Sequence, residues 1–131
     1  MEAKYVLIVE DNPDDLILIK RVFKRYNIVN KIVVASDGAK ALEILNGFDS
    51  ISHIKANQLP ALIILDLKLP KISGLELLEI IRNKKETQYI PVVIMTSSKE
   101  DIDIISSYKL GANSYVRKPI VFDEFAEAVR Q

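Results

Sequence analysis

Residues 61–69 read ALIILDLKL, an apolar run carrying one carboxylate, Asp66, bounded by Pro60 and Pro70 and followed by Gly74. A run of that length between prolines predicts a strand buried on both faces, as in a parallel sheet covered by helices. Asp66 then stands where such a strand leaves the sheet. In open α/β sheets chemistry gathers at the carboxyl ends of the strands, so an ionisable side chain there is better placed for function than for packing. Asp66 is therefore the first candidate for a reacting residue.

The same grammar recurs on either side of this stretch. Tyr5–Val9 is short, β-branched and apolar, and it runs into Glu10 and Asp11. Asn12 and Pro13 then offer an N-cap and a first helical residue, with Asp14 and Asp15 in the first turn, where the helix dipole favours acids. Leu16, Ile19, Phe23 and Tyr26 recur at helical spacing up to about Asn27. Ile32–Ala35 predicts a second strand, and Ser36 or Asp37 a cap for a helix that stops at Gly47. Residues 48–59, which include the only histidine, His53, show no clear period and predict a long connection with His53 on its surface. After the central strand, Ser73 and Gly74 open a helix through Ile81 whose tail of Arg82, Lys84 and Lys85 suits the dipole. Pro91 introduces a fourth strand ending at Thr96. A fourth helix follows, with Ser97 or Ser98 as its cap, Ile102, Ile105 and Tyr108 at core positions and Gly111 as its end. Asn113–Arg117 is a last strand closed by Lys118 and Pro119, before a short final helix marked by Phe122, Phe125 and Val129. Five strands alternating with five helices, each connection long enough for a crossover, predict a doubly wound five-stranded parallel sheet.

Composition narrows the class. A chain of 131 residues, 49% hydrophobic and 27% charged, suits one domain over 1–131, with a core that needs no metal or disulfide staple. The formal net charge of zero gives no global attraction for nucleic acid. The absence of cysteine excludes a disulfide framework, a thiolate metal site and a cysteine nucleophile. No run approaches the roughly 18 apolar residues of a membrane-spanning helix, and the start lacks the apolar core of a signal peptide, so a cytoplasmic protein with no membrane partner is expected.

Parallel strands bring Glu10, Asp11, Asp66, Thr96 and Lys118 to one edge. Singly, an acid after a strand is usually a cap and a threonine usually structural; their convergence is what points to a site. Three carboxylates around one ammonium leave local negative charge that a divalent cation would relieve. Magnesium suits hard oxygen donors, with Asp11 and Asp66 as direct ligands, Glu10 through water and the Lys68 carbonyl completing the protein's set. No histidine cluster or cysteine pair competes for zinc.

IVEDNPDD, IILDLKLP, VVIMTSS and SYVRKP, in that order and spacing, resemble the receiver domain of two-component response regulators over essentially the whole chain. The resemblance implies a flavodoxin-like fold with strand order 2-1-3-4-5. It implies that Asp66 accepts a phosphoryl group from a sensor histidine kinase, that Glu10, Asp11 and Lys68 help hold magnesium, and that Thr96 and Lys118 bind the phosphoryl oxygens. Tyr115 stands at the position of the family's switch aromatic, although a half-buried strand aromatic would look the same in sequence. Residues 48–59 resemble those of single-domain receivers paired with phytochrome-type kinases. With no output domain in the sequence, the implied readout is a downstream protein bound on the face of the fourth helix, fifth strand and fifth helix; a homodimer is left open. Ser97 departs from the small residue common in the family and narrows access to the phosphoryl site, while Lys68 and Ser98 occupy positions that tune hydrolysis. A haloacid dehalogenase-type phosphatase would want an acid where Lys68 stands. A flavodoxin would want a Ser-, Thr- and Gly-rich first loop in place of EDNPDD, whose acids repel phosphate. A pseudo-receiver that only binds partners would not need the acids, the threonine and the lysine, all of which are retained.

Overall fold

The computed structural model describes residues 5–46, 59–69, 71–96, 106, 108–118 and 122–130. Strands β1 (Val6–Val9), β2 (Ile32–Ala35), β3 (Leu62–Asp66), β4 (Val92–Thr96) and β5 (Ser114–Arg117) pair in parallel in the order β2-β1-β3-β4-β5. The three inner strands are almost wholly buried, which is why they read as continuous apolar runs. Register aligns Val9 with Leu65, Asp66 with Met95 and Thr96 with Arg117, so the polar strand ends collect on one edge.

Four helices are described: α1 (Pro13–Arg25), α2 (Gly38–Leu45), α3 (Gly74–Asn83) and α4 (Phe122–Arg130). They cover both faces of the sheet. Alternation along the strands sends Leu7, Val9, Ile63, Leu65, Val92 and Ile94 toward the apolar sides of α2 and α3, where Ile44, Leu77 and Ile81 are buried. Val6, Ile8, Ile64, Val93 and Val116 point the other way, against Ile19 and Phe23 of α1 and Phe125 of α4. The rings of Phe23 and Phe125 lie 6.4 Å apart, and the Tyr26 hydroxyl donates to Asp123 across the same helix pair at 3.0 Å.

Local sequence sets the element ends. Asn12 caps α1, its Oδ1 accepting from the Asp14 and Asp15 amides. Asp37 caps α2 by accepting from the Lys40 amide, and Ser73 caps α3 by accepting from the Glu76 amide, its hydroxyl donating in turn to the Glu76 carboxylate. The central strand ends at Asp66, as its sequence predicts: Asp66 Oδ1 accepts from the Lys68 amide two residues on, and this turn competes with further pairing. α2 ends at Leu45 with Asn46 as its C-cap, directly before Gly47. One expectation needs correction: Tyr108, expected at a core position of the helix between β4 and β5, is 51% exposed. Most of that helix, with Ile102 and Ile105, lies outside the described residues, as do residues 47–58 with Gly47 and His53, and Pro70, Ser97, Ser98 and Pro119.

α3 is tied to the start of β5 by one side chain. The Arg82 guanidinium donates to the carbonyls of Gly111 (2.9 Å), Gln88 (3.2 Å) and Ile90 (2.8 Å) and to Asn113 Oδ1 (2.9 Å), an atom that also accepts from the Val92 amide. Gly111 has φ +102°, and a Cβ there would stand 2.8 Å from Arg82 Nε, so glycine is required on both counts.

Candidate functional site

Strand alternation places the ionisable groups before any contact is measured. Glu10 follows Ile8 by two positions, Asp66 follows Ile64 and Lys118 follows Val116, and all three apolar residues face α1 and α4. The three side chains therefore meet on the α1 side of the sheet edge. Lys118 Nζ lies 2.5 Å from Glu10 Oε1, 3.2 Å from Asp66 Oδ2 and 2.8 Å from Asp15 Oδ2, the last on the first turn of α1. Asp11 is exposed at the mouth, and one carboxylate oxygen each from Glu10, Asp11 and Asp66 lies within 4.8 Å of the others.

Charge and burial oppose each other here. Glu10 is 1% exposed, and its Oε2 is the one buried side-chain polar atom among the described residues with no hydrogen-bond partner. Burial pushes its carboxyl well above the usual range, and the adjacent Asp66 carboxylate adds to the effect against the opposing pull of Lys118. Burial alone would pull the Lys118 ammonium down, but its bonds to Asp15 and Glu10 and the charges of Asp66 and Glu10 carry it above its ordinary value. Lys118 is thus a fixed positive charge. An unpartnered buried oxygen beside two further carboxylates is a donor set of hard oxygens, which fits a divalent cation.

The turn after β3 holds Asp66 from behind. The Gly74 amide donates to the Leu67 carbonyl at 2.9 Å, and a Cβ at Gly74 would overlap the Asp66 carbonyl oxygen and come within 2.5 Å of the Leu67 Cα. α3 therefore begins in direct backbone contact with the strand end that carries Asp66, with Lys68 exposed on the intervening turn.

Residues 6–130 match the family model for the response regulator receiver domain. The chain belongs to that family. Its structure superposes on the bacteriophytochrome response regulator RtBRR with a TM-score of 0.87 and 42% identity, covering 98% of this chain and 77% of that one. The response regulator Rcp1 of Synechocystis is 36% identical over 115 residues, 88% of this chain and 76% of the relative. Its Mn2+-bound structure gives a TM-score of 0.79 at 33% identity, over 97% and 89% of the two chains. The phosphorylated cyanobacterial phytochrome response regulator RcpA gives 0.82 at 31% identity, over 98% and 90%.

On the other face of this receiver's sheet, Thr96, Tyr115 and Arg117 share one side, because Ile94 pairs with Tyr115 and Thr96 with Arg117. Thr96 is fully buried, and its carbonyl accepts from the Lys118 amide at 2.9 Å, which sets the height of the lysine. Tyr115 packs partly against the α3-side core, and its hydroxyl accepts from Arg117 Nε at 2.6 Å. The structure thus gathers Glu10, Asp11, Asp66 and Lys118 into one cluster, and sets Thr96 at the end of the adjacent strand with Tyr115 beside it. Sequence reasoning missed Asp15 as a partner of Lys118, reading it only as an acid at a helix start. The available signal was its place as the third residue of a helix that opens directly off β1. A recess of about 400 Å3 at the opposite edge of the sheet, lined by Ala61, Pro91, Asn113 and Val129 among others, has no ionisable side chain in its wall among the described residues.

Proposed function

We propose that Asp66 accepts a phosphoryl group from the phosphohistidine of a sensor histidine kinase, and that the receiver then signals through a protein-binding face. The observation that carries this reading is the approach of the Lys118 ammonium to 3.2 Å from Asp66 Oδ2 beside the Glu10, Asp11 and Asp66 oxygens. Transfer forms a bond from an Asp66 carboxylate oxygen to phosphorus and breaks the bond from phosphorus to the donor imidazole nitrogen, which leaves with the electron pair. The chain's task is to hold the nucleophile in line and to place positive charge and donors around the equatorial oxygens. Lys118 supplies the charge and the Thr96 hydroxyl a donor. Asp11 and Asp66, the Lys68 carbonyl and, through water, Glu10 would hold Mg2+, which supplies charge neutralisation for the incoming phosphoryl group. Water attacking phosphorus returns the Asp66 carboxylate and inorganic phosphate. In this reading the chain is a phosphoacceptor and not a turnover enzyme, folded as one domain over 1–131.

The relatives' names support the choice of partner: a kinase of the phytochrome type fits a chain similar to the phytochrome response regulators RtBRR and RcpA. The downstream target is a protein read on the face around β5, where Tyr115 stands beside Thr96. Phosphate that accepts the Thr96 hydroxyl bond favours one arrangement of that face, which is the differential contact a two-state switch requires.

Incubation with acetyl phosphate and Mg2+, followed by peptide mapping, tests the assignment. Label is expected on Asp66 and absent in Asp66→Asn; acyl phosphate persisting in that variant on another residue would sink it.

A further inference from the structure

Lys118 has three ammonium protons, and the structure offers each a carboxylate: Glu10, Asp15 and Asp66. Two of the three also belong to the oxygen group that fits a cation; Asp15 does not. Asp15 is the third residue of α1, its amide taken by the Asn12 cap at 3.2 Å, so its backbone is anchored independently of the cluster. Its side chain is only 16% exposed, and its 2.8 Å bond to Lys118 closes the α1 side of the site.

We propose that Asp15 is a positioning residue that holds the Lys118 ammonium while its other two partners change, an assignment that rests on the reading of Asp66 as phosphoacceptor. Asp66 turns from carboxylate to acyl phosphate during transfer, and Glu10 is drawn toward the cation. Asp15 alone keeps the same partner before, during and after. A lysine ammonium sits on a flexible four-carbon stem with freely rotating donors, so it needs a fixed acceptor to present one proton in a constant direction. With one proton held on Asp15, the ammonium stays directed at the place where Asp66 Oδ2 stands and where a phosphoryl oxygen would replace it. A charge-assisted bond of this length is strong enough to impose that geometry.

The test compares Asp15→Asn with Asp14→Asn, which removes the same charge from the same helix turn at an exposed residue that does not contact Lys118. At saturating Mg2+, phosphorylation by acetyl phosphate should slow by about tenfold in Asp15→Asn and stay within about twofold of wild type in Asp14→Asn. Mg2+ affinity should change equally in the two. A second readout needs no phosphorylation: in the Mg2+-loaded protein, the Lys118 Nζ resonance should be resolved in wild type and Asp14→Asn but lost to exchange in Asp15→Asn. Equal rates in the two variants, or an unchanged Nζ resonance in Asp15→Asn, would overturn the proposal. Failure of the underlying reading looks different, because the wild type itself would then carry no label on Asp66.

Discussion

The Tyr115 hydroxyl is held by Arg117, two positions along the same strand, at 2.6 Å. That bond favours one ring orientation in the unphosphorylated protein, so it opposes any state in which the ring turns. Arg117→Met keeps much of the stem and removes the donor. Losing a hydrogen bond of ~1 kcal/mol shifts a two-state ratio roughly fivefold, so the Tyr115 ring resonances of the unphosphorylated variant should move toward those of phosphorylated wild type. Spectra identical to wild type would mean that the bond does not restrain the ring. Asp66, Glu10, Asp11 and Thr96 were legible in the sequence because they close apolar runs, and Lys118 because it closes the last predicted strand; parallel pairing takes such ends to one edge. Arg117 and Asp15 were not, since their meaning depends on which way one side chain turns after its element has docked. That direction is set by tertiary packing, not by local pattern.

At the scale of elements, the caps were readable from residue type: Asn12, Asp37 and Ser73 each accept from the helix they open. Arg82 was misread. As a cation near the end of α3 it suits the helix dipole, but the structure uses it to join α3, the turn before β4 and the turn before β5. A four-bond clamp spanning 31 positions leaves no periodic signal in sequence. Partial burial of the guanidinium lowers its pKa from the ordinary value, and three of the four bonds are themselves partly buried. Arg82→Lys keeps the charge, but an ammonium with three donors cannot reach three carbonyls and an amide at once. Urea unfolding should show a loss of about 2 kcal/mol, the scale of leaving buried acceptors unpaired. The cost should fall on stability and leave labelling of Asp66 in the folded fraction unchanged; a loss below about 0.5 kcal/mol would show the clamp to be dispensable.

Across the whole molecule the site works against the fold, and pH and cation together expose the conflict. The register that assembles the sheet buries Glu10 beside Asp66 with one oxygen unpartnered. Burial, with the Asp66 carboxylate adding to it, pushes the Glu10 carboxyl up to about 8 from 4.5 in the cation-free protein. The folded state therefore holds a proton that the unfolded chain has already released in that window. A group that binds more protons when folded contributes stability that is complete below the unfolded pKa and is lost as pH rises through the folded one. Lys118 does not alter this, because its pKa is raised above the ordinary 10.5 and its contribution is lost only at higher pH. Melting temperature in a chelator should thus fall between about pH 5 and about pH 8, by on the order of 5 °C for a domain of this size. Added Mg2+ should reverse much of the fall at the upper end and do little at the lower, since oxygen ligands must be deprotonated to bind. Glu10→Gln, which cannot titrate, should flatten the chelator profile. A melting temperature that rises with pH in chelator, or an equal gain from Mg2+ at both ends, would show that Glu10 is not the group that sets the balance between this sheet and its site.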